Sequence, residues 1–314
     1  PEIYKMRELA AVLSKRRFER GSMNIESTES KFLIENGQVL DILPRERGES
    51  EKFIEEFMLM ANQAAASVAM NEELPFVYRV HDDPPAQKVS ALKELLRQVG
   101  VDASGLSDEV KAKEMSDVLE SVRGTRLEQL INNQLLRSMA KAVYSAENTG
   151  HFGLVMENYA HFTSPIRRYP DLIIHRILSA QVNGSPRKVI EKRFGNYVAN
   201  AAKHCSECEQ KAVSIERDCE DCYKAEYMSH HIGECFEGVI SSIQSYGFYV
   251  ELPNTVEGLV HVNDLPFGDY ILEETMELVE RMSNTSYKIG QKVMVRCDAV
   301  DVSAGEIDFV LAEE

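Results

Sequence analysis

The sequence predicts an α+β chain in two units, a mostly helical one over residues 1–230 and a small five-stranded β-barrel over residues 231–314. Three observations carry this. Apolar residues recur at helical spacing through most of the first unit. The composition shifts near Gly233. From Glu234 onward, short strand-like runs alternate with glycine turns over about 80 residues, the pattern of a small closed sheet.

The elements follow in order. Ile3, Met6, Leu9 and Leu13 set a helix over residues 2–20, ended by Gly21. Residues 23–42 read as two strands joined at Asn36-Gly37, a hairpin dipeptide. Residues 50–72 form an amphipathic helix, and Pro84-Pro85 breaks the chain before another at 86–99. Further helices are expected at 108–120, 126–142, 165–182 and 187–230. The barrel strands are Phe236–Ile240, Tyr246–Val250, Gly258–Val262, Lys292–Val295 and Ile307–Leu311.

A length of 314 residues, with 44% hydrophobic and 27% charged residues, suits globular units with sizeable cores. No apolar run reaches membrane-spanning length, and the first residues show no secretory signal. The chain opens without Met and enters a helix almost at once, which reads as a piece of something longer. A net charge of −16 argues against binding nucleic acid through a broadly basic surface, so any RNA path must be a local channel. Cationic clusters occur at Lys15-Arg16-Arg17 and Arg167-Arg168.

Cys205-x-x-Cys208 and Cys219-x-x-Cys222 mimic the spacing of a four-thiolate zinc site. The intervening residues contain no Gly or Pro and read as helix, which separates Cys205 from Cys219 by about 21 Å, at 1.5 Å per residue. Core-facing thiols are the expectation. Six cysteines without an export signal fit the cytoplasm.

The most informative stretch is Tyr159-Ala160-His161-Phe162-Thr163-Ser164-Pro165-Ile166-Arg167-Arg168-Tyr169-Pro170-Asp171-Leu172. Ser164 reads as a helix N-cap and Pro165 as the first helical residue. Arg167 and Arg168 then oppose the macrodipole beside free backbone N–H groups, an arrangement that attracts phosphate, with Asp171 bracing Arg167.

This stretch, preceded by His151-Phe152-Gly153-Leu154, resembles the signature of the ribonuclease II / ribonuclease R family, whose members are 3′→5′ exoribonucleases built on the RNB catalytic domain. Ile54–Asn62, Tyr78-Arg79-Val80-His81, Leu135–Met139, His204-Cys205-Ser206 and Ile215-Glu216-Arg217-Asp218 resemble further blocks of the family in the same order, with ribonuclease R most similar. Gly238 to Val262 resembles an S1-type OB-fold.

The resemblance implies hydrolysis of single-stranded RNA to 5′-nucleotides, with magnesium held by an aspartate cluster of the form D-x5-D-x-D-D. That pattern does not occur here; the only adjacent aspartates, Asp82-Asp83, read as a solvated turn. The chain therefore resembles the second half of an RNB domain plus an S1 domain, inactive by itself. The other half would be a candidate partner chain, and neither DNA nor membrane is expected as a partner.

By the same resemblance, Arg167 binds the scissile phosphate, Glu216 approaches it from the long helix, and Glu55 reads a ribose hydroxyl. Ile25 stands where many relatives carry a stacking Phe, and Glu306 where the barrel often carries a basic residue. Arg168 joins the RNA-binding set, with Tyr246, Phe248, Tyr249 and His261 as stacking rings on the barrel. Strict alternation would turn Tyr249 away from Tyr246 and Phe248. The competing reading is a non-catalytic RNA-binding or regulatory protein of the same descent.

Overall fold

The computed structural model describes residues 2–23, 29–45, 47–125, 127–266, 268–273, 277–283 and 285–312. Its helical unit runs α1 (Glu2–Glu19), β1 (Ser30–Glu35), β2 (Gln38–Pro44), α2 (Glu49–Asn71), β3 (Tyr78–Val80), α3 (Ala86–Gln98), α4 (Ala112–Val122), α5 (Glu128–Ser138), β4 (Val143–Ser145), α6 (Tyr169–Val182) and α7 (Arg187–Ser229). The strands β5 (Cys235–Gln244), β6 (Gly247–Glu251), β7 (Glu257–His261), β8 (Tyr270–Leu272), β9 (Glu277–Glu280), β10 (Ser286–Lys288), β11 (Lys292–Asp301) and β12 (Glu306–Leu311) follow.

Gly21 ends α1 with φ +98°, and a side chain there would meet Cβ of Lys113 at 2.6 Å, so the left-handed turn also lets α4 approach. Asn36 and Gly37 both take positive φ, as the tight turn between β1 and β2 requires. One face of that hairpin, Phe32, Val39 and Ile42, packs into the barrel core.

Three cores result. Helices α3, α4 and α5 bury Leu92, Leu96, Met115, Ile131 and Leu135 together. A second core joins α2, α6, β3, β4 and the first part of α7 through Ala66, Phe76, Ile173, Ile174, Ile177 and Phe194. The third is the barrel, closed in the order β11-β12-β7-β6-β5, with β12 and β7 parallel. It is filled by Ile240, Phe248, Val260, Val295 and Phe309.

Helix α7 ties the units together. Its 43 residues span roughly 65 Å at 1.5 Å per residue. Ile190 to Cys205 face the second core, while Ala225 and Met228 enter the barrel core. By contrast, α1 buries only Ala10 and leaves Ile3, Tyr4, Leu9 and Val12 exposed.

Several expectations need correction. Helix α6 starts at Tyr169 rather than Pro165, because Pro165 to Arg167 form a turn and Pro170 supplies the early-helix proline. Helix α4 starts at Ala112, where the Glu114 carboxylate caps backbone N–H groups of Ser107 and Lys111. A three-stranded sheet, β8-β9-β10, stands between β7 and β11 where the barrel reading had no strand. Of the four cysteines on α7 only Cys205 is buried, while Cys208 and Cys219 are exposed. Ile25 lies outside the described residues.

Candidate nucleic-acid interface

The site forms where the 159–168 loop meets α2, β3, β4 and α7. Its anchor is Asn62, on the inward stripe of α2 that continues through Ala65, Ala66 and Ala69. A polar side chain buried there must be hydrogen-bonded. Its Oδ1 accepts from the backbone N–H of Phe162 (2.9 Å) and Thr163 (3.2 Å), and its Nδ2 donates to the Tyr159 hydroxyl (3.1 Å). The second anchor is Asp171, in the first turn of α6 and fully buried. Its Oδ2 accepts from the Ser164 N–H (2.7 Å) and from Arg168 Nε (3.2 Å) and Nη2 (2.9 Å). Asp171 Oδ1 is buried without a hydrogen-bond partner.

These bonds overturn two expectations. Ser164 does not cap α6; its N–H is itself held by the α6 carboxylate. Asp171 braces Arg168 rather than Arg167, because the turn before α6 removes the helical spacing that would have aligned Arg167 with it. The Arg168 guanidinium is thus spent inside an ion pair, its side chain 17% exposed. Arg167 is exposed and joins no ion pair or side-chain hydrogen bond among the described residues, beside a fully exposed Ile166.

Around this loop stands a set of rings and charges drawn from β3, β4 and α7. Arg79, on β3 between buried Tyr78 and Val80, points the other way and meets Glu209 of α7 at 2.6 Å. Its guanidinium lies 4.6 Å from the centre of the Tyr144 ring on β4. The Tyr144 hydroxyl lies 2.9 Å from His161 Nδ1, and its backbone N–H donates to Ser206 Oγ of α7 (2.9 Å). Tyr159, His151 and His81 continue the contact edge to face.

Burial, then the positive charge of Arg168 and Arg79, pushes the His161 imidazole down to about 2. Burial foremost takes His151 to about 3 and lowers His81. The Tyr144 phenol is pushed up to about 12, first by burial and then by Glu209. The imidazoles are therefore neutral near pH 7 and the phenol keeps its proton. Arg79 is paired with Glu209 and Arg168 with Asp171, whereas Arg167 has no ion-pair partner among the described residues.

Glu209 was legible in principle: it continues the inward stripe Val198, Ala201, Cys205 by one more helical step. Glu216 lies about 10 Å farther along α7 at 1.5 Å per residue, exposed and joined to none of these groups. Glu55 is also exposed, 3.9 Å from Arg47, and seven residues before Asn62, which sets it on the same side of α2. The buried carboxylate is its neighbour Glu56, paired with Arg17 at 2.6 Å.

On the barrel, Phe248 is fully buried against Tyr287 and is core rather than a stacking ring. Tyr246 is exposed and Tyr249 half-buried. They meet edge to face with hydroxyls 3.3 Å apart, because the Gly247 turn (φ +152°) breaks the alternation expected of a regular strand. His261 is half-buried, and its Nδ1 accepts from the Asn263 N–H at 3.2 Å. Glu306 is exposed.

The RNB domain profile matches residues 1–184 and the S1 RNA binding domain profile residues 229–311. The chain belongs to the RNB-domain family. It is 40% identical over 319 residues to ribonuclease R of Thermotoga maritima, covering 99% of this chain and 44% of that protein. It is 38% identical over 307 residues to ribonuclease R 1 of Lactococcus lactis, covering 97% of this chain and 38% of the relative. The chain thus spans less than half the length of these curated relatives. Mycoplasma genitalium RNase R in complex with ribose methylated single-stranded RNA superimposes with a TM-score of 0.89 at 26% identity, over 99% of this chain and 49% of that one. This RNB chain therefore pairs a largely helical unit with a C-terminal S1 barrel, and no described helix is long and apolar enough to cross a membrane.

Proposed function

We propose that residues 1–230 act as the downstream part of an RNB exoribonuclease catalytic domain and residues 231–314 as its S1 RNA-binding domain. In this reading the chain guides single-stranded RNA for 3′→5′ hydrolysis to 5′-nucleotides in the cytoplasm. One observation carries it: Arg167 extends from a loop that Asn62 and Asp171 pin, without an ion-pair partner among the described residues, while the neighbouring Arg79 and Arg168 are paired. An exposed guanidinium on a loop held in this way suits a phosphodiester oxygen. Glu216 remains the proposed helix-borne carboxylate, and Glu209, tied to Arg79, is a second carboxylate on the same helix. Glu55 remains the proposed ribose contact. Tyr246, Tyr249 and His261 remain the proposed stacking rings on the barrel.

The magnesium that the family resemblance implies finds no donor set here. Among the described residues no three His, Cys, Asp or Glu side chains converge as ligands, and Asp171 and Glu209 are held by arginines. We place the magnesium-holding aspartates on polypeptide beyond these 314 residues, in line with relatives more than twice as long. The exposed apolar face of α1 is a surface on which such polypeptide could pack.

The test is a magnesium-dependent assay on 5′-labelled single-stranded RNA. The chain should bind the RNA and leave it intact. A ladder of shortened products from the pure chain would overturn the assignment of the metal site elsewhere. The same assay with the upstream half added separates an enzyme portion from a non-catalytic RNA-binding descendant.

A further inference from the structure

Barrel and helix enclose a groove of about 370 Å³, lined among others by Asp221 and Lys224 of α7, Tyr249 of β6, Glu257 of β7, and Glu306 and Asp308 of β12. That volume falls in the usual small-ligand range of roughly 300–1,000 Å³. Its width is fixed by close packing: Gly305, at φ +70°, lies so near α7 that a side chain there would meet Cβ of Asp221 at 2.9 Å.

Four carboxylates face one ammonium group, which disfavours a phosphate in this groove. Glu306 and Asp308 alternate on β12, so both point the same way, and neither has a hydrogen-bond or ion-pair partner among the described residues. Glu257 accepts the Ser241 hydroxyl with one oxygen. The carboxylates do not converge on a metal-binding point. Tyr249, backed by the edge of Tyr246, adds an aromatic surface to this row of acceptors.

An aromatic surface beside a row of carboxylate acceptors matches a nucleobase presenting N–H donors. We propose that this groove reads the Watson–Crick edge of guanine. The adjacent N1–H and N2–H groups of guanine fit one carboxylate in two parallel bonds. Uracil offers a single N–H between two carbonyl oxygens, which the carboxylates repel. This inference rests on the RNA-binding reading above and adds a base preference to it, assigned to side chains outside the Arg167 cluster.

The experiment uses the full chain and fluorescein-labelled single strands of about ten nucleotides, within the footprint of one such barrel. Three strands are compared by fluorescence anisotropy: all uridine, uridine with central guanosines, and the same with inosine in place of guanosine. The guanosine strand should bind about tenfold more tightly than the uridine strand, with inosine between them because it lacks the N2 amine. The double variant Glu306→Gln/Asp308→Asn should level the three affinities, mainly by weakening the guanosine strand. Equal binding of all three by the unmodified chain would overturn the base preference while leaving RNA binding intact. A preference that survives the double variant would overturn its assignment to this groove. No binding to any strand would defeat the RNA-binding reading itself. The inosine comparison leaves the protein untouched, so misfolding of a variant cannot mask the answer.

Discussion

Replacing Asp171 with Asn removes the charge that holds Arg168 while keeping the side-chain shape. The carboxylate is fully buried, and its partner side chain is 17% exposed. Breaking one side of a buried ion pair costs about 3–5 kcal/mol. The amide oxygen can still accept the Ser164 N–H, so Asp171→Asn belongs near the lower end, at about 3 kcal/mol. Arg168→Gln should cost about 3–5 kcal/mol, because it leaves the fully buried Asp171 carboxylate without its counter-charge. The double variant should cost less than the sum by about 1–3 kcal/mol, as expected of contacting residues. Urea unfolding at pH 7, followed by circular dichroism, gives the four stabilities. A coupling under about 0.5 kcal/mol would refute the claim that this pair pins the loop.

Acid should destabilise the helical unit. The folded imidazoles of His151 and His161 are held down to about 3 and about 2, against an unfolded value near 6.5. Above pH 6.5 both states are unprotonated and these groups contribute nothing; below it the unfolded state binds protons that the folded state refuses. Stability should thus fall by about 1.4 kcal/mol per pH unit for each imidazole between about pH 6 and 3, and His151→Gln and His161→Gln should flatten a plot of urea midpoint against pH, an unchanged slope counting against the burial argument. Phe248→Ala should cost about 3–5 kcal/mol, whereas Tyr246→Ala should leave stability within about 0.5 kcal/mol and weaken RNA binding. Thermal melts and anisotropy separate the two, and equal melting temperatures would contradict the assignment of Phe248 to the core. Gly21→Ala should cost more than about 1 kcal/mol through left-handed strain and the Lys113 contact, as checked by urea unfolding.

Much of the fold was legible because its signals are local. Asn36-Gly37, the proline break and the long periodic helices each depend on neighbours in sequence, and all appear close to where they were expected. The misreadings arise where distant contacts override local preference. Ser164 and Pro165 form a good helix start, but Asp171 takes the Ser164 N–H and turns the segment into a loop. The aromatic run suggests a stacking role for Phe248, yet alternation along β6 closes it into the barrel with Val250, while Gly247 frees Tyr246 to meet Tyr249. Arg79, Tyr144 and Glu209 come from three separate elements, and only the packing of α7 across β3 and β4 brings them together. The β8-β9-β10 sheet is built from strands of three or four residues, too short for periodicity to register.

Arg167 is the side chain on which the proposed grip on the RNA backbone most directly rests. Salt dependence of single-stranded RNA binding should be measured for the unmodified chain and for Arg167→Gln. Loss of one phosphate contact predicts weaker binding at low salt and a slope of log K against log salt smaller by about 0.7. Identical affinity and identical slope for the two proteins would contradict the claim that this guanidinium meets the RNA backbone.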